Sequence, residues 1–428
     1  MNFKFDTSAE FALKTDENDS FKQFRERFFI PDKNTIYLDG NSLGRLPLKT
    51  KTLITEITEK QWGSELIESW NKHWYEMPSR LGDKIAQIIG ADPGEVIVSD
   101  STSVNLYKLV HAALNYQKEK TTVVSDVFNF PTDLYILQGI LKEKGPDYKL
   151  VLAESKDEIS IDMQDLKEKI TKNTALVVLS LVAFKSSFLY QAEQVAQWAH
   201  QKGALVLWDL SHAAGALPVE LNNTGIDLAV GCSYKYLNGG PGAPAFLFVR
   251  KELQEKLFSP IQGWFGHHQP FQFSLNFSPA QGIKKYLTGT PPVLSLMAIE
   301  PGLDLLLEAG MEKLRVKSIK QTEYFLFLFR EKLAKYGFVS GTPSDFQNRG
   351  SHVSLKHPEG YRICQALIHP KNNGIKVIPD FREPDNIRFG ITPLYTTFTE
   401  IWETVNRTKK IMESNEFQLF SDIRKPVT

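Results

Sequence analysis

The sequence predicts an α/β protein built on a mostly parallel sheet of about seven strands, followed by a smaller α+β domain. Between about residues 95 and 250, short runs rich in β-branched residues alternate with longer amphipathic segments. The short runs are apolar throughout, which is typical of strands that helices cover on both faces. After about residue 290 the alternation stops and long helical stretches take over.

Seven strands and four connecting helices are predicted in the alternating region. The strands are 95–99, 121–125, 148–153, 174–182, 204–209, 227–233 and 244–250, and the helices are 103–115, 133–145, 163–171 and 191–203. The run "TALVVLSLV" (174–182) is the clearest buried strand, and Gly203 is a natural end for the helix before it. This order predicts a chain that crosses repeatedly between sheet and helix layers.

The C-terminal part is predicted to form a second, smaller domain. Two helical stretches, 294–310 and 311–337, precede short strands at 352–355, 375–379 and 386–390 and a last helix near 397–413. The first 60 or so residues fit no sheet. We therefore predict an N-terminal arm (1–60) that packs with the small domain, a large domain (61–292) and a small C-terminal domain (293–428).

Bulk composition excludes several classes of protein. The 428 residues include 50 basic and 50 acidic side chains, so the formal net charge is zero, which gives no support for a nucleic-acid or anionic-membrane partner. Only two cysteines occur, Cys232 and Cys364, which suggests no disulfide framework and fits a reducing cytosol. The N-terminus is polar and acidic, unlike a signal peptide, and the longest apolar stretch is about half of what spans a bilayer. A cytoplasmic protein with no membrane partner is expected.

Polar residues follow several strands of the predicted sheet. In an open parallel sheet, ligands bind beyond the carboxyl ends of the strands. The candidates at that edge are Thr102 and Ser103 after the first strand, the "NFPTD" turn (129–133) after the second, Ser180, Asp209 with His212, and Lys235 in "SYKYLNGGPG" (233–242).

Each candidate also has an ordinary structural interpretation. Serine and threonine are good helix caps, so Thr102 and Ser103 need bind nothing. Asp209 could cap the next turn, although a carboxylate directly after a buried strand should meet a cation. His212 could be a packing histidine, and Lys235 a surface lysine. Phe130 alone could be a core residue.

The combination is more informative than any single residue. A hydroxyl-rich helix N-terminus suits a phosphate, a buried carboxylate suits a pyridinium, an aromatic ring can stack on it, and a lysine can form a Schiff base. Together these features describe a pyridoxal 5'-phosphate site. They occur in the chain order of the aspartate-aminotransferase-like fold, which makes 61–292 the domain that binds pyridoxal phosphate. No metal site is predicted.

Four motifs make the resemblance specific. "YLDGNSLGRLP" (37–47), "NFPTD" (129–133), "WDLSHAAGALP" (208–218) and "SYKYLNGGPG" together resemble the kynureninase family, hydrolases that split L-kynurenine. The likeness runs from near residue 30 to near residue 395. "DLSHAAG" alone would mark only the wider class that includes the cysteine desulfurases.

The resemblance implies a role for each matching residue. Lys235 is the Schiff-base lysine and the base at Cα, Tyr234 is a plausible proton carrier, and Arg388 clamps the substrate's α-carboxylate. The implied cofactor-binding residues are Thr102, Ser103, Phe130, Pro131, Thr132, Asp133, Ser180, Asp209, His212, Tyr234, Lys235, Trp264 and Thr290. Trp264 and Thr290 are implied to complete the pocket across a homodimer interface.

The resemblance also implies a reaction and a preference. Water would add to the γ-carbonyl of L-kynurenine, and Cβ–Cγ cleavage would release anthranilate and L-alanine. Members that prefer the 3-hydroxylated substrate carry a histidine at a position that falls near Ser69 and Trp70 here. Trp70, with Ser42 as a further substrate-binding residue, therefore predicts that 3-hydroxykynurenine is the poorer substrate. Trp70 could also be a core residue.

Two rival functions remain open on the sequence. The first is a cysteine desulfurase or selenocysteine lyase, which needs a reactive cysteine on a mobile loop, whereas Cys232 falls in a predicted strand and Cys364 in an amphipathic helix. The second is a protein that binds pyridoxal phosphate without catalysis. Intact lysine, aspartate and arginine positions argue against it.

Overall fold

A computed structural model of the chain describes residues 3–371 and 374–424. Within those ranges the helices are α1 (Ala9–Glu17), α2 (Lys22–Arg25), α3 (Leu48–Glu56), α4 (Met77–Ile89), α5 (Thr102–Tyr116), α6 (Pro131–Lys144), α7 (Met163–Lys169), α8 (Ala192–Gln201), α9 (Lys251–Gln254), α10 (Val293–Ala309), α11 (Met311–Lys332), α12 (Gly360–Ile368) and α13 (Phe398–Glu413). The strands are β1 (Thr35–Tyr37), β2 (Val96–Val98), β3 (Thr122–Asp126), β4 (Lys149–Ala153), β5 (Thr174–Ser180), β6 (Leu205–Asp209), β7 (Leu228–Gly231), β8 (Phe246–Val249), β9 (Val339–Ser340), β10 (His352–Lys356), β11 (Lys376–Ile378), β12 (Asp380–Arg382) and β13 (Asn386–Gly390).

The main sheet has seven strands in the order β2-β8-β7-β6-β5-β3-β4, which confirms the predicted α/β class. Strand β8 runs antiparallel to both of its neighbours, and the other pairs are parallel. Every residue of β5, β6, β7 and β8 is buried. Two large apolar clusters pack on the opposite faces of this sheet, which is why its strands are continuously hydrophobic.

Local signals explain where several helices begin and end. The side chain of Ser101 accepts from the backbone N–H of Val104 and so caps α5, and Pro131 opens α6 at the position where a missing N–H costs nothing. Helix α4 ends at Gly90, whose φ of 67° lies in the left-handed region. Helix α13 begins with a reciprocal capping box between Thr397 and Glu400.

The C-terminal part contains a four-stranded antiparallel sheet in the order β12-β13-β10-β9. Helices α11, α12 and α13 share its apolar cluster. The short strands β9 and β12 were not predicted, and α11 ends at Lys332 rather than 337. Strands β9 and β12 have only two and three residues, so they carry little periodicity that could mark them in the sequence.

The expectation that the first 60 residues fit no sheet is wrong. Strand β1 pairs in parallel with β11, with Ile36 opposite Val377, and forms a separate two-stranded sheet. The sequence predicts β11 (at 375–379) as a strand of the small domain, but in the structure β11 pairs with the N-terminal strand β1. Helix α1 also packs against α13, whereas α3 packs against α10. The division at residues 60 and 292 stays a prediction.

Candidate active site

The carboxyl edge of the main sheet gathers most of the predicted site. Asp209 ends β6 and Ser180 ends β5, and the two residues are direct register partners in the sheet. Lys235 lies four residues beyond the end of β7, and Asp126 ends β3. Residues far apart in sequence thus meet because parallel strands end at one edge.

Lys235 lies in a small aromatic and imidazole pocket. Its Nζ is 3.1 Å from Nε2 of His212, 5.9 Å from the ring centroid of Phe130 and 6.0 Å from that of Tyr234. Burial and the nearby Lys235 charge hold the pKa of His212 well below its usual value, so the imidazole is neutral and can accept from the lysine. The sequence alone left open whether Lys235 is a surface lysine. In the structure its side chain is half-buried and faces these aromatic and imidazole groups.

Two buried carboxylates face this lysine. Burial raises the pKa of Asp209, and the charge of Lys235 opposes that rise. Burial and the neighbouring Asp209 raise the pKa of Asp133 well above its usual value. Oδ1 of Asp209 accepts from the backbone N–H of Ser211 at 2.8 Å, and the Ser211 side chain also hydrogen-bonds this carboxylate. Oδ2 of Asp133 is buried without a partner in the described chain. Such carboxylates favour a cationic partner.

The "NFPTD" turn is held in place by Asn129. Its Oδ1 accepts from the hydroxyl of Ser180 and from the backbone N–H of Phe130, both at 2.8 Å. Pro131 and Thr132 then form the first turn of α6, next to Asp133. Phe130 keeps 39% of its surface exposed and contacts Phe184 edge to face at 5.2 Å. One side of the ring therefore remains available, unlike that of a core phenylalanine.

The N-terminus of α5 is a second feature of the same edge. Thr102 and Ser103 occupy its first two positions and are only partly buried. The preceding Asp100 has a φ of 49° and pairs with Lys108, whose side chain is fully buried. This anchor holds the turn that carries the two hydroxyls and the first N–H groups of the helix, which have no partner inside the helix itself.

The "GNSLG" motif packs directly on the lysine loop. The backbone N–H of Gly44 donates to the carbonyl of Tyr234 at 2.8 Å. A Cβ at Gly44 would lie 2.3 Å from the carbonyl oxygen of Lys235, so no side chain fits there. The N-terminal segment thus helps to shape the loop that carries the lysine.

Arg388 is buried and touches three parts of the chain. Its Nη2 contacts Oδ2 of Asp380 and lies 3.1 Å from Oγ of Ser42, and its Nη1 donates to the carbonyl of Phe184. Arg388 and Lys235 both act electrostatically on His212. The structure therefore brings Arg388 and Ser42 together beside the lysine pocket, as the predicted substrate-binding pair requires.

Three predicted residues make no hydrogen bond or ring contact with Lys235 in the described chain. Trp70 packs on Trp74 at 5.5 Å and on Phe265 at 5.7 Å, in a π-helical turn. Trp264 and Thr290 are exposed, and no hydrogen bond or ring contact joins either to Lys235 within residues 3–371 and 374–424. Their predicted role across a dimer interface stays a prediction.

Comparison with known proteins decides the family. A kynureninase from Pseudomonas fluorescens is 42% identical over 412 residues, which cover 95% of this chain and 96% of the relative. This chain belongs to the kynureninase family. A kynureninase from Burkholderia pseudomallei is 41% identical over 96% of this chain and 97% of the relative, and the model of the kynureninase C-terminal domain matches residues 314–408.

Solved structures show the same fold in a more distant class. A cysteine desulfurase from Thermococcus onnurineus is similar with a TM-score of 0.77 and 19% identity, covering 92% of this chain and 98% of that one. The curated relatives confirm the predicted resemblance to kynureninases, and this structural similarity confirms the predicted fold class.

Pyridoxal 5'-phosphate is the cofactor of this member of the kynureninase family, as the sequence predicted. The residues present fit that group. Asp133 Oδ2 and His212 Nδ1 are buried polar atoms without partners in the described chain, and they lie around Lys235. A protonated pyridine ring would supply the cation that the Asp209 and Asp133 pair lacks.

Several residues of the site were not predicted. Asn129 lies inside a motif that was recognised, yet its amide gave no separate signal. Asp39, Phe184, His352 and Asp380 were missed altogether, although the ring of His352 lies 5.5 Å from that of His212. Asp39 lies inside the motif at 37–47, so that motif could have identified it as a site residue. Asp380 has no local signal, because only strand pairing brings it to Arg388.

Proposed function

We propose that this protein hydrolyses the Cβ–Cγ bond of L-kynurenine and releases anthranilate and L-alanine. The observation that carries this proposal is 42% identity to a kynureninase over 95% of the chain, with Lys235, Asp209 and Arg388 around one pocket. The substrate is a small amino acid with an α-carboxylate, an aryl ketone and an α-amine. Each of these groups has a matching residue type in the pocket.

The cofactor would be held by residues of the large sheet edge. Lys235 would bond covalently to it, Asp209 and Asp133 would lie near the pyridine nitrogen, and Phe130 would stack on the ring. Thr102, Ser103 and Tyr234 would hold the phosphate, with Pro131, Thr132, Ser180 and His212 around the remainder. When bound, pyridoxal phosphate acts as an electron sink that stabilises negative charge at the substrate's Cα and, later, at Cβ.

The protein groups then bind the substrate and move protons. Arg388 would hold the α-carboxylate, since its planar fork matches a carboxylate bidentately. Lys235 would take the proton from the substrate's Cα, and neutral His212, 3.1 Å from its amine, would orient that amine. Tyr234 is the proposed proton carrier. Water adds to the γ-carbonyl, and the hydrate breaks between Cβ and Cγ.

The proposed preference is for L-kynurenine over 3-hydroxykynurenine. Trp70, Ser42 and Thr290 are the proposed residues around the aryl ring. An indole can offer the added hydroxyl only one N–H donor and no acceptor, so burying that hydroxyl is unfavourable. The bond that Ser42 makes with Arg388 supports its place on the substrate side.

A homodimer with shared active sites is proposed for the assembly. The segment that carries Trp264 also exposes Phe271, Phe273 and Leu275, the last of them completely. Such adjacent apolar side chains favour burial against another protein surface. Size measurement at micromolar concentration checks this, because a monomer with full activity would contradict it.

No helix of the described residues is long and apolar enough to cross a membrane. We propose a cytoplasmic location, which the two unpaired cysteines also favour.

A cysteine desulfurase activity is the second candidate, since the structural neighbour described above has that function. The chain's cysteines argue against it. Cys232 and Cys364 are both buried, and burial raises the pKa of each thiol, well above its usual value for Cys364. A persulfide-forming cysteine needs an accessible thiolate instead.

Product analysis tests the proposal. The purified protein, loaded with pyridoxal phosphate, is incubated separately with L-kynurenine, 3-hydroxykynurenine and L-cysteine. Equal amounts of anthranilate and alanine from L-kynurenine are expected, with slower release of 3-hydroxyanthranilate and no sulfide from cysteine. A protein that binds the cofactor yet turns over none of the three would support the non-catalytic alternative.

A further inference from the structure

Strand pairing places a carboxylate directly opposite the substrate-binding arginine. Asp380 on β12 and Arg388 on β13 are register partners in the antiparallel ladder. Both are almost fully buried, and Oδ2 of Asp380 contacts Nη2 of Arg388. The ladder fixes the two Cα atoms relative to each other, so this ion pair is built into the small sheet.

Two further contacts restrain the same guanidinium. Oγ of Ser42 lies 3.1 Å from Nη2 of Arg388 and 3.2 Å from Oδ2 of Asp380, which closes a three-membered network. The carbonyl of Phe184, on the loop after β5, accepts from Nη1. An arginine side chain has many rotamers, and these contacts from three separate segments restrict its freedom.

The charges around the arginine suit an incoming anion. Asp380 also accepts from Arg382 at 3.0 Å, so two guanidinium groups share one carboxylate. Burial, followed by the charge of Asp380, raises the pKa of nearby Asp39 to about 7. Below that pH Asp39 is neutral, and the cluster retains one positive charge for the carboxylate of a substrate.

We propose that Asp380 is a positioning residue for substrate recognition, holding the guanidinium of Arg388 in the orientation that receives the α-carboxylate of an amino-acid substrate. This inference rests on the proposed role of Arg388 in kynurenine cleavage. Asp380 acts through the arginine rather than on the substrate. The opposite role, in which Asp380 competes with the substrate for Arg388, is disfavoured because the ladder and Arg382 both hold it in place.

The substitution Asp380→Asn tests the proposal with little change in shape. A freed guanidinium is misplaced by an ångström or so, and KM for L-kynurenine should rise at least about ten-fold. The kcat should stay within about three-fold, because the carboxylate contact is made equally in ground and transition states. Cofactor absorbance should be unchanged.

Glu323→Gln is the matched control. Glu323 pairs with Arg349, another fully buried arginine, and within residues 3–371 and 374–424 no hydrogen bond or ion pair joins either residue to Lys235 or His212. Removing this carboxylate should lower thermal stability and leave KM unchanged. A rise in KM in both variants would reveal a general loss of packing and overturn the specific role.

A double-mutant cycle tests whether Asp380 works through Arg388. If it does, adding Asp380→Asn to Arg388→Lys should raise KM by no more than about two-fold beyond Arg388→Lys alone. Additive effects, an unchanged KM in Asp380→Asn or a lowered KM would each overturn the proposal. A lowered KM would identify Asp380 as a competitor.

Binding of L-alanine separates this inference from the proposed reaction. L-Alanine carries the same α-carboxylate, and its dissociation constant can be read from the change in cofactor absorbance. If the wild type binds L-alanine but cleaves no kynurenine, the proposed function fails while Asp380→Asn still must weaken alanine binding about ten-fold. Should Asp380→Asn not fold, Ser42→Ala removes another contact to Nη2 and must weaken alanine binding in the same direction. Unchanged binding in that variant would overturn the proposal.

Discussion

Gly44 offers a sharp test of how the N-terminal segment shapes the active site. The substitution Gly44→Ala adds one methyl group at a point where its Cβ would lie 2.3 Å from the carbonyl oxygen of Lys235 and 2.5 Å from Oδ1 of Asn238. Its backbone φ is not in the left-handed region, so alanine meets no conformational penalty there. The effect is therefore purely steric.

The size of the effect follows from that distance. Ordinary van der Waals contact begins at 3.4 Å, so the two segments must separate by about 1 Å. Overpacking of this kind costs about 1–3 kcal/mol of stability. Because the displaced atom belongs to Lys235 itself, a 1 Å shift should also lower kcat/KM for L-kynurenine on the order of 10²-fold.

The assay compares Gly44→Ala with Gly139→Ala. Gly139 lies in the interior of α6 and has no atom within 4 Å of its added Cβ, so alanine there should leave activity unchanged and raise stability slightly. Thermal unfolding and steady-state kinetics are measured on both variants, loaded with pyridoxal phosphate. If Gly44→Ala keeps the wild-type Tm and kcat/KM, the close approach between the Gly44 segment and the Lys235 loop is refuted.

Further predictions concern four other residues. Lys235→Ala should abolish the cofactor adduct that borohydride fixes to the protein, and peptide mapping that finds the adduct on another lysine would contradict its role. Arg388→Lys should weaken the binding of L-kynurenine by about 2 kcal/mol or more, which raises KM roughly 30-fold, because a point charge cannot replace a bidentate fork. Unchanged substrate binding would remove Arg388 from the site. The kcat/KM of the wild type should be higher for L-kynurenine than for 3-hydroxykynurenine by a factor of tens, since an unpaired buried hydroxyl costs about 1–3 kcal/mol. Trp70→His should lower this ratio of kcat/KM values, and an unchanged ratio would mean that Trp70 has only a packing role. The pKa of Asp39 is raised to about 7, so this carboxyl is neutral below pH 7 and negative above it; KM for L-kynurenine should rise as pH climbs through 7, and Asp39→Asn should flatten that rise.

The main sheet could be predicted because its signals are local. A strand such as β5 is buried along its whole length, and that burial is visible as an uninterrupted apolar run. The helices between the strands show the helical spacing of apolar residues, and each cap is a single residue next to its helix, such as Ser101 before α5. The strands that were missed, β1, β9 and β12, have only two or three residues each, so little of either period can develop in them.

The location of several pocket residues could also be predicted from the sequence. Asp209 and Lys235 each follow a buried strand, and parallel strands bring their carboxyl ends to one edge. The placement of Phe130 and His212 beside the lysine agrees with what the motifs implied. Trp264 and Thr290 are different, because no hydrogen bond or ring contact within the described residues joins either of them to Lys235, and their place across a dimer interface stays a prediction.

By itself the sequence determined the fold class, the cofactor and the edge of the sheet where the cofactor site lies, since all three depend on short-range patterns. Only the tertiary structure decided which distant groups complete the site. Gly44 meets Lys235 across 191 positions, Ser42 meets Arg388 across 346, and β1 pairs with β11. Asp380 reaches Arg388 only through the register of β12 on β13. Register follows from which faces become buried when the whole chain packs, and no local run of residues encodes that.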